Sequence, residues 1–331
     1  METKLILATS AGVIVCRSEE GEWREIGHSL KDRQVTSVIA REGVILAGTT
    51  SGIYRSDDLG HSWQAANTGL SLPHVRWLAY HPGISDFELA GTEPAGIFIS
   101  RDGARTWRAC SEVEDLRQKY GWRLPYSPEA GCVRGFAILG RRAYAAVEDG
   151  CALVSEDGGE TWELAQGSRG APDHYPADGF IHSDVHSIAV HPGSQDLVFA
   201  PTGGGFFGSA DGGKTWRLLY ANCYCRAVWL DAANPDHLVL GPADGVDRNG
   251  RIEETHDGGE TWHLASHGLE IPWEHHMVER FQQIDGTEGI QLLAVLSNGK
   301  LLSSDLGWLD WRQILAELPP IAAVTSLQAT E

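Results

Sequence analysis

SEDGGETW (155–162) is the stretch on which the fold turns, because the chain repeats it. SDDLGHSW (56–63), SRDGARTW (100–107), SADGGKTW (209–216) and THDGGETW (255–262) share its form, S/T-x-D-x-G-x-x-W. Ala104 stands at the glycine position of the copy at 100–107. SSDLGWLDW (303–311) is a further copy with one residue inserted, and SEEGEW (18–23) is a worn seventh. Their tryptophans fall at 23, 63, 107, 162, 216, 262 and 311, with spacings of 40, 44, 55, 54, 46 and 49. Periods of this size, each holding several short strands, predict a β-propeller.

Each blade reads as four strands. In the fifth they are DVHSIAVHP (184–192), DLVFAPT (196–202), GGFFGS (204–209) and TWRLLY (215–220). AAVTSLQA (322–329) matches a first strand with no blade after it, while KLILATS, GVIVC and EWREI at the start supply three strands with no first strand before them. Joined, they predict an all-β, seven-bladed propeller. It is one domain over residues 1–331, with blade 1 shared between residues 4–26 and 321–329. Such closure leaves no free sheet edge.

These copies resemble the Asp-box, or BNR, repeat of sialidases, sortilin-type receptors, xyloglucanases and the photosystem II assembly/stability factors. The resemblance implies that the box is a structural turn between a blade's third and fourth strands. Its Asp ties the turn backbone and its Trp packs between blades. Asp58, Asp102, Asp157, Asp211, Asp257 and Asp305 are on that basis structural rather than catalytic. The assembly factors share the blade number and present an arginine-rich patch to a partner protein. Sialidases grip a carboxylate with an arginine triad, but none of their catalytic residues maps onto a motif position here.

Composition agrees with a turn-rich globular chain: 42% hydrophobic residues, 39 glycines, 12 tryptophans and only 2 methionines. A net charge of −19 argues against general binding of nucleic acid or anionic membrane, since phosphate binding needs a positive field. The apolar N-terminus is broken by Thr9, Ser10 and Gly12, and reads as strand rather than as a targeting signal or membrane span. Six irregularly spaced cysteines fit reduced thiols in a cytoplasm.

The innermost strands align by their apolar anchors: VTSV (35–38), VRWL (75–78), VRGF (133–136), VHSI (185–188), CRAV (225–228), VERF (278–281) and VTSL (324–327). Their second positions are Thr36, Arg76, Arg134, His186, Arg226, Glu279 and Thr325. Because side chains alternate faces along a strand, these residues are expected to point into the central channel near one mouth. Two cations ~7 Å apart repel by roughly 2 kcal/mol at an effective dielectric near 20. Three arginines against one Glu would therefore favour an anion held by guanidinium forks. The competing expectation is that the arginines pair with Glu279, Asp184 and strand-end carbonyls around water.

Long connections at 111–131 and 166–184, and a moderate one at 266–276, are expected to reach the same mouth. They bring Trp122, Tyr126, His182, Trp273, His275 and His276 as candidate ligand-binding residues beside Arg76, Arg134 and Arg226. His186 and Glu279 are the candidate acid–base or orienting pair. A metal site would need His182, His186, His275 and His276 to converge with Glu279; no metal or cofactor is expected. Cys223-x-Cys225 with Cys132 reads as packing, and Gly203–Gly205 open a strand, so they form no phosphate loop. The expected function is recognition of an anionic small molecule, or of a protein or peptide tail. The alternative is a glycosidase-like hydrolase or a lyase using His186 and Glu279.

Overall fold

The computed structural model describes residues 2–124, 131–285 and 289–329. It consists of seven four-stranded antiparallel sheets, so the chain is a seven-bladed β-propeller. Blade 1 pairs the last strand, Ile321–Ala329, with Glu2–Thr9, followed by Gly12–Glu19 and Glu22–Ser29. The two ends of the chain are thus stitched into one sheet, with Ile6 opposite Thr325 and Leu7 opposite Val324. The remaining innermost strands are Val35–Arg41, Val75–Tyr80, Cys132–Leu139, Ala189–Val190, Tyr224–Leu230 and Val278–Asp285. Each lies beside the next around a closed ring.

The second strand of each blade is buried on both faces, as in Val44–Thr49, Glu88–Thr92 and Arg142–Glu148. A blade packs against a neighbour on either side, so these strands read as near-continuous apolar runs rather than alternating ones. Between blades 3 and 4, Leu89, Ile97 and Ile99 meet Ala145, Val147 and Leu153 around Trp162. Burying each such leucine or isoleucine contributes ~1.5–3 kcal/mol before entropy is counted.

Closest approach falls on glycines. A Cβ on Gly48 would stand 2.7 Å from Val75 Cγ1, one on Gly91 2.7 Å from Val133 Cγ1, and one on Gly241 2.5 Å from Val278 Cβ. A valine at or next to the start of each of these innermost strands is therefore seated on the preceding blade's second strand. That seat sets the depth of the residue immediately after it.

The repeated turns behave as small hydrogen-bonded units. Ser155 Oγ donates to Asp157 Oδ1 at 2.7 Å and accepts from Gly159 N at 2.8 Å. Asp157 also accepts from Thr161 N at 3.0 Å and Thr161 Oγ1 at 2.6 Å. Asp58, Asp102, Asp211 and Asp257 repeat this pattern. Asp305 differs: its carboxylate accepts from Gln291 Nε2 at 3.4 Å, and the fourth residue after it is Leu309, which has no hydroxyl to offer.

The connection at 111–131 is not all loop. Ser111–Tyr120 forms an α-helix, with Glu112 and Glu114 in its first turn and Arg117 and Lys119 in its last. Those charges complement the helix dipole. Gly121 closes it at φ 64°, its N–H donating to Arg117 O. No helix among the described residues is long and apolar enough to cross a membrane.

Candidate functional site

The innermost strands do not simply alternate. Register shifts occur between Val35 and Ser37, Val75 and Trp77, Val133 and Gly135, and Val278 and Arg280. In each case one residue of the innermost strand is extra, namely Thr36, Arg76, Arg134 and Glu279. In blade 6 the shift spans Arg226 and Ala227. A β-bulge leaves its extra residue out of the ladder and re-aims its side chain, so a bulge rather than plain alternation sets these residues. Blade 5 is irregular at the same place: Val185 bridges Thr202, His186 N donates to Pro201 O, and pairing resumes at Ala189.

Blade 1 corrects the expected alignment. Its shift lies where Thr9 pairs with Ile321 and Ala8 with Ala323, so Ala322 is the extra residue. Ala322 lines the mouth cavity with Thr36 and Arg76, whereas Thr325 lines a smaller cavity deeper in the channel. VTSL (324–327) copies VTSV (35–38) in letters, but the register follows Ile321.

The charged ring residues converge. Arg134 of blade 4 reaches across the channel to Glu279 of blade 7, Nη2 to Oε2 3.3 Å. Arg226 of blade 6 donates to the other oxygen of Glu279 and to Tyr224 Oη at 3.3 Å. Carboxylates that the alignment did not single out complete the set. Glu148 Oε2 stands 3.4 Å from Arg134 Nη1, and Glu93 Oε2 3.5 Å from Arg76 Nη1. Both lie at or just past the ends of second strands, opposite the start of the ring strands. His186 Nδ1 meets Cys225 O at 2.8 Å, and its Nε2 stands 3.0 Å from Asp184 Oδ2. The expectation of surplus charge on Arg76, Arg134 and Arg226 is thereby corrected, because all three are matched by acids.

These pairs shift the acids. Burial pushes the Glu279 carboxyl up, but Arg226 and Arg134 more than offset it and hold it below the usual range. Burial likewise opposes ionisation of Asp184, and His186 beside it brings it down to about 2.

Arg280 is the residue that the alignment overlooked. It follows the bulge of blade 7, at the position held elsewhere by Ser37, Trp77, Gly135, Ser187, Ala227 and Ala323. Its guanidinium stacks on the Trp77 ring at 4.0 Å and, among the described residues, forms no ion pair. Burial first, then Arg134 and Arg76, bring it down to about 9, with Glu279 opposing them. The available signal was its departure from the small residues usual at that position.

Arg76, Arg134, Arg280 and Glu279 line a cavity of about 290 Å3 at the mouth, with Thr36 and Gln34. Three guanidinium groups thus share its wall with one carboxylate. Arg226 and His186 do not line it.

The loop candidates lie elsewhere. Trp122 is a core side chain, 1% exposed, with its Nε1 donating to Gly170 O at 2.6 Å. It ties the two long connections to each other instead of facing a ligand. Trp273 is buried in the blade 6–7 core and stacks on His276 at 5.0 Å. His182 is buried, its Nδ1 accepting from Asp184 N. His275 is exposed beside Glu274. None of these five lines the mouth cavity; Tyr126 lies outside the described residues. His182, His186, His275 and His276 do not gather as metal ligands with Glu279, among the described residues. All six cysteines are free and buried.

No family model matches the chain, and no curated protein matches it. Solved structures do resemble it. YCF48 from Cyanidioschyzon merolae aligns with a TM-score of 0.63 at 13% identity, covering 90% of this chain and 90% of that one. YCF48 bound to D1 peptide aligns at 0.60 and 15%, covering 91% and 88%. An ancestral GH74 enzyme aligns at 0.61 and 17%, covering 89% of this chain and 38% of its own. This chain therefore spans well under half of that enzyme's length. At such identities the likeness shows the seven-bladed propeller fold alone.

Proposed function

We propose that this propeller is a binding protein whose mouth cavity takes a carboxylate or phosphate group, carried by a small molecule or by the tail of a protein. The observation that carries this reading is the wall of the cavity, where Arg76, Arg134 and Arg280 border about 290 Å3 while Glu93, Glu148 and Glu279 form ion pairs with only the first two of them. Arg280 is the principal contact, since among the described residues no acid forms an ion pair with it. Arg76 and Arg134 flank the bound anion. Arg226 holds Glu279, which in turn orients Arg134.

A buried guanidinium lacking a counter-charge is costly, and an anion beside it recovers Coulomb energy in a low-dielectric site. Thr36 and Gln34 add neutral polar groups to the same wall. The volume suits a group the size of one terminal residue, at the low end of ligand pockets. A peptide tail is favoured by the likeness to YCF48, one structure of which holds a D1 peptide.

A glycosidase-like reading finds less support. That chemistry commonly uses two carboxyls, one of them protonated near neutral pH. Among the described residues Glu279 is the only carboxylate lining the cavity, and two arginines hold it ionised.

The reading is tested by thermal-shift titration with small carboxylates, inorganic phosphate and tail peptides bearing free or amidated C-termini. A binding anion at a hundred times its Kd should stabilise the fold by ~2.7 kcal/mol. Stabilisation by no anion, or an equal shift in an Arg76, Arg134, Arg280 triple alanine variant, would overturn it.

A further inference from the structure

Blade 6 carries a second cluster of chemistry-bearing side chains, at the strand ends opposite those that hold the ring residues. Asp231 follows the innermost strand Tyr224–Leu230, and His237 immediately precedes the second strand, Leu238–Ala243. Leu238 pairs with Thr255 and Val239 with Glu254, which brings His237 beside Glu254 and His256. His237 Nε2 lies 3.3 Å from Glu254 Oε2, and His256 Nε2 lies 3.3 Å from the same oxygen. The two imidazoles stack, centroids 4.3 Å apart and planes 17° from parallel. His237 Nδ1 stands 3.0 Å from Asp231 Oδ2.

The repeat itself shows that these residues are not what the fold requires. The backbone N–H that opens the same turn bonds to the residue six further on in three blades: His81 to Phe87, His191 to Leu197, and Asp231 to His237. An apolar side chain in two blades becomes His237 in the third. Just before the box hydroxyl, blades 3, 4 and 5 place Ile99, Val154 and Gly208, where blade 6 places Glu254. Just after it they place Arg101, Glu156 and Ala210, where blade 6 places His256. His237 and Glu254 replace the apolar residues or glycine of blades 3 to 5, and their side chains meet His256 at one point.

The donor atoms of His237, Glu254 and His256 gather within reach of a single ion. A carboxylate on the far nitrogen is also the usual outer partner of a metal-bound histidine. Ligands ~2.0–2.1 Å from a tetrahedral Zn2+ lie about 3.3 Å from one another, the spacing observed on both edges that share Glu254. We propose that His237 Nε2, His256 Nε2 and a Glu254 oxygen form a three-ligand site for a divalent transition ion of the Zn2+ class, with Asp231 positioning His237. The His256 side chain is 60% exposed, so the fourth coordination position opens to solvent. A bound ion ties the turn after the innermost strand to the box turn of the same blade.

The test uses the full chain, free of any purification tag and stripped by a chelator, titrated calorimetrically with Zn2+ and by absorbance with Co2+. The wild type is expected to bind one ion per chain and to show Co2+ absorption of tetrahedral intensity. Exposed His256→Ala, which leaves the fold intact, should abolish that absorption and weaken Zn2+ binding at least tenfold, while Asp231→Asn should weaken it roughly 10–100-fold. Absence of saturable binding to the wild type would overturn the site. So would affinity unchanged in His256→Ala, or binding lost instead in a His275→Ala, His276→Ala variant.

Discussion

Arg134 and Glu279 meet at 3.3 Å across the channel, although they belong to blades 4 and 7 and stand 145 residues apart in sequence. Glu279 also takes Arg226, so one buried carboxylate restrains two guanidinium groups. Glu279→Gln keeps the shape and removes the charge, leaving Arg134, Arg226 and Arg280 without it. Breaking a buried pair this way costs ~3–5 kcal/mol. Urea unfolding should show that loss, and added phosphate should restore more stability to the variant than to the wild type.

Arg280→Met should behave differently. It removes a half-buried cation that, among the described residues, forms no ion pair, while keeping a side chain able to lie on Trp77. Replacement of a strained buried charge by an apolar group of similar length is neutral or stabilising. The midpoint of urea unfolding should hold or rise in the absence of added anions, while anion-dependent stabilisation disappears.

Gly91→Ala tests the seat beneath Arg134. The new Cβ would meet Val133 Cγ1 at 2.7 Å and its carbonyl oxygen at 2.9 Å, so blades 3 and 4 must move apart. Overpacking of this kind costs ~1–3 kcal/mol. Chemical denaturation reads the loss directly, and anion affinity should fall with it because Arg134 follows Val133.

The box carboxylates predict an acid transition. Side-chain and backbone bonds from Ser62 bring Asp58 down to about 2 from 3.8. In Asp157 and Asp211 burial opposes the shift, and bonds from the turn hydroxyls and amides outweigh it. A carboxyl whose folded value is depressed contributes stability that is full above its unfolded value and is lost as pH falls through the folded one. The melting temperature should therefore decline between about pH 4 and pH 2, less steeply in Asp157→Asn than in wild type.

Burial pushes the Cys16 and Cys110 thiols up to about 12 and Cys151 up to about 11, and Cys132 and Cys225 also rise. Thiolate is the reactive form. A disulfide reagent should label none of these five at neutral pH until denaturant is added; prompt labelling of the native chain would contradict the burial.

The seven blades were legible because the S/T-x-D-x-G-x-x-W repeat marks each sheet, with its turn chemistry intact at Asp58, Asp102, Asp157, Asp211 and Asp257. The closing strand was legible because a lone first strand at one end matched three strands missing theirs at the other. The inward aim of Arg76, Arg134 and Glu279 was also foreseen, but from alternation. A bulge sets it instead, and bulges leave no period in the letters. Thr325 was misplaced for the same reason, since hydrophobic lettering slides by three residues where the ladder does not. Glu93 and Glu148 lie on other strands and come near the ring only through register, so an alignment of innermost strands alone passed them by. The helix Ser111–Tyr120 carried readable signals in its charge order and its closing Gly121. Trp122 looked like a lid aromatic because exposure cannot be inferred from a loop's length.

The central claim is that the mouth cavity binds an anionic group through Arg280 and its neighbours. Calorimetric titration of the wild type and Arg280→Met with one short peptide, its C-terminus free or amidated, tests it most directly. The account predicts saturable 1:1 binding of the free carboxylate to the wild type, no binding of the amide, and at least tenfold weaker binding to Arg280→Met. Equal binding of both peptides, or equal affinity of both proteins for the carboxylate, would contradict it.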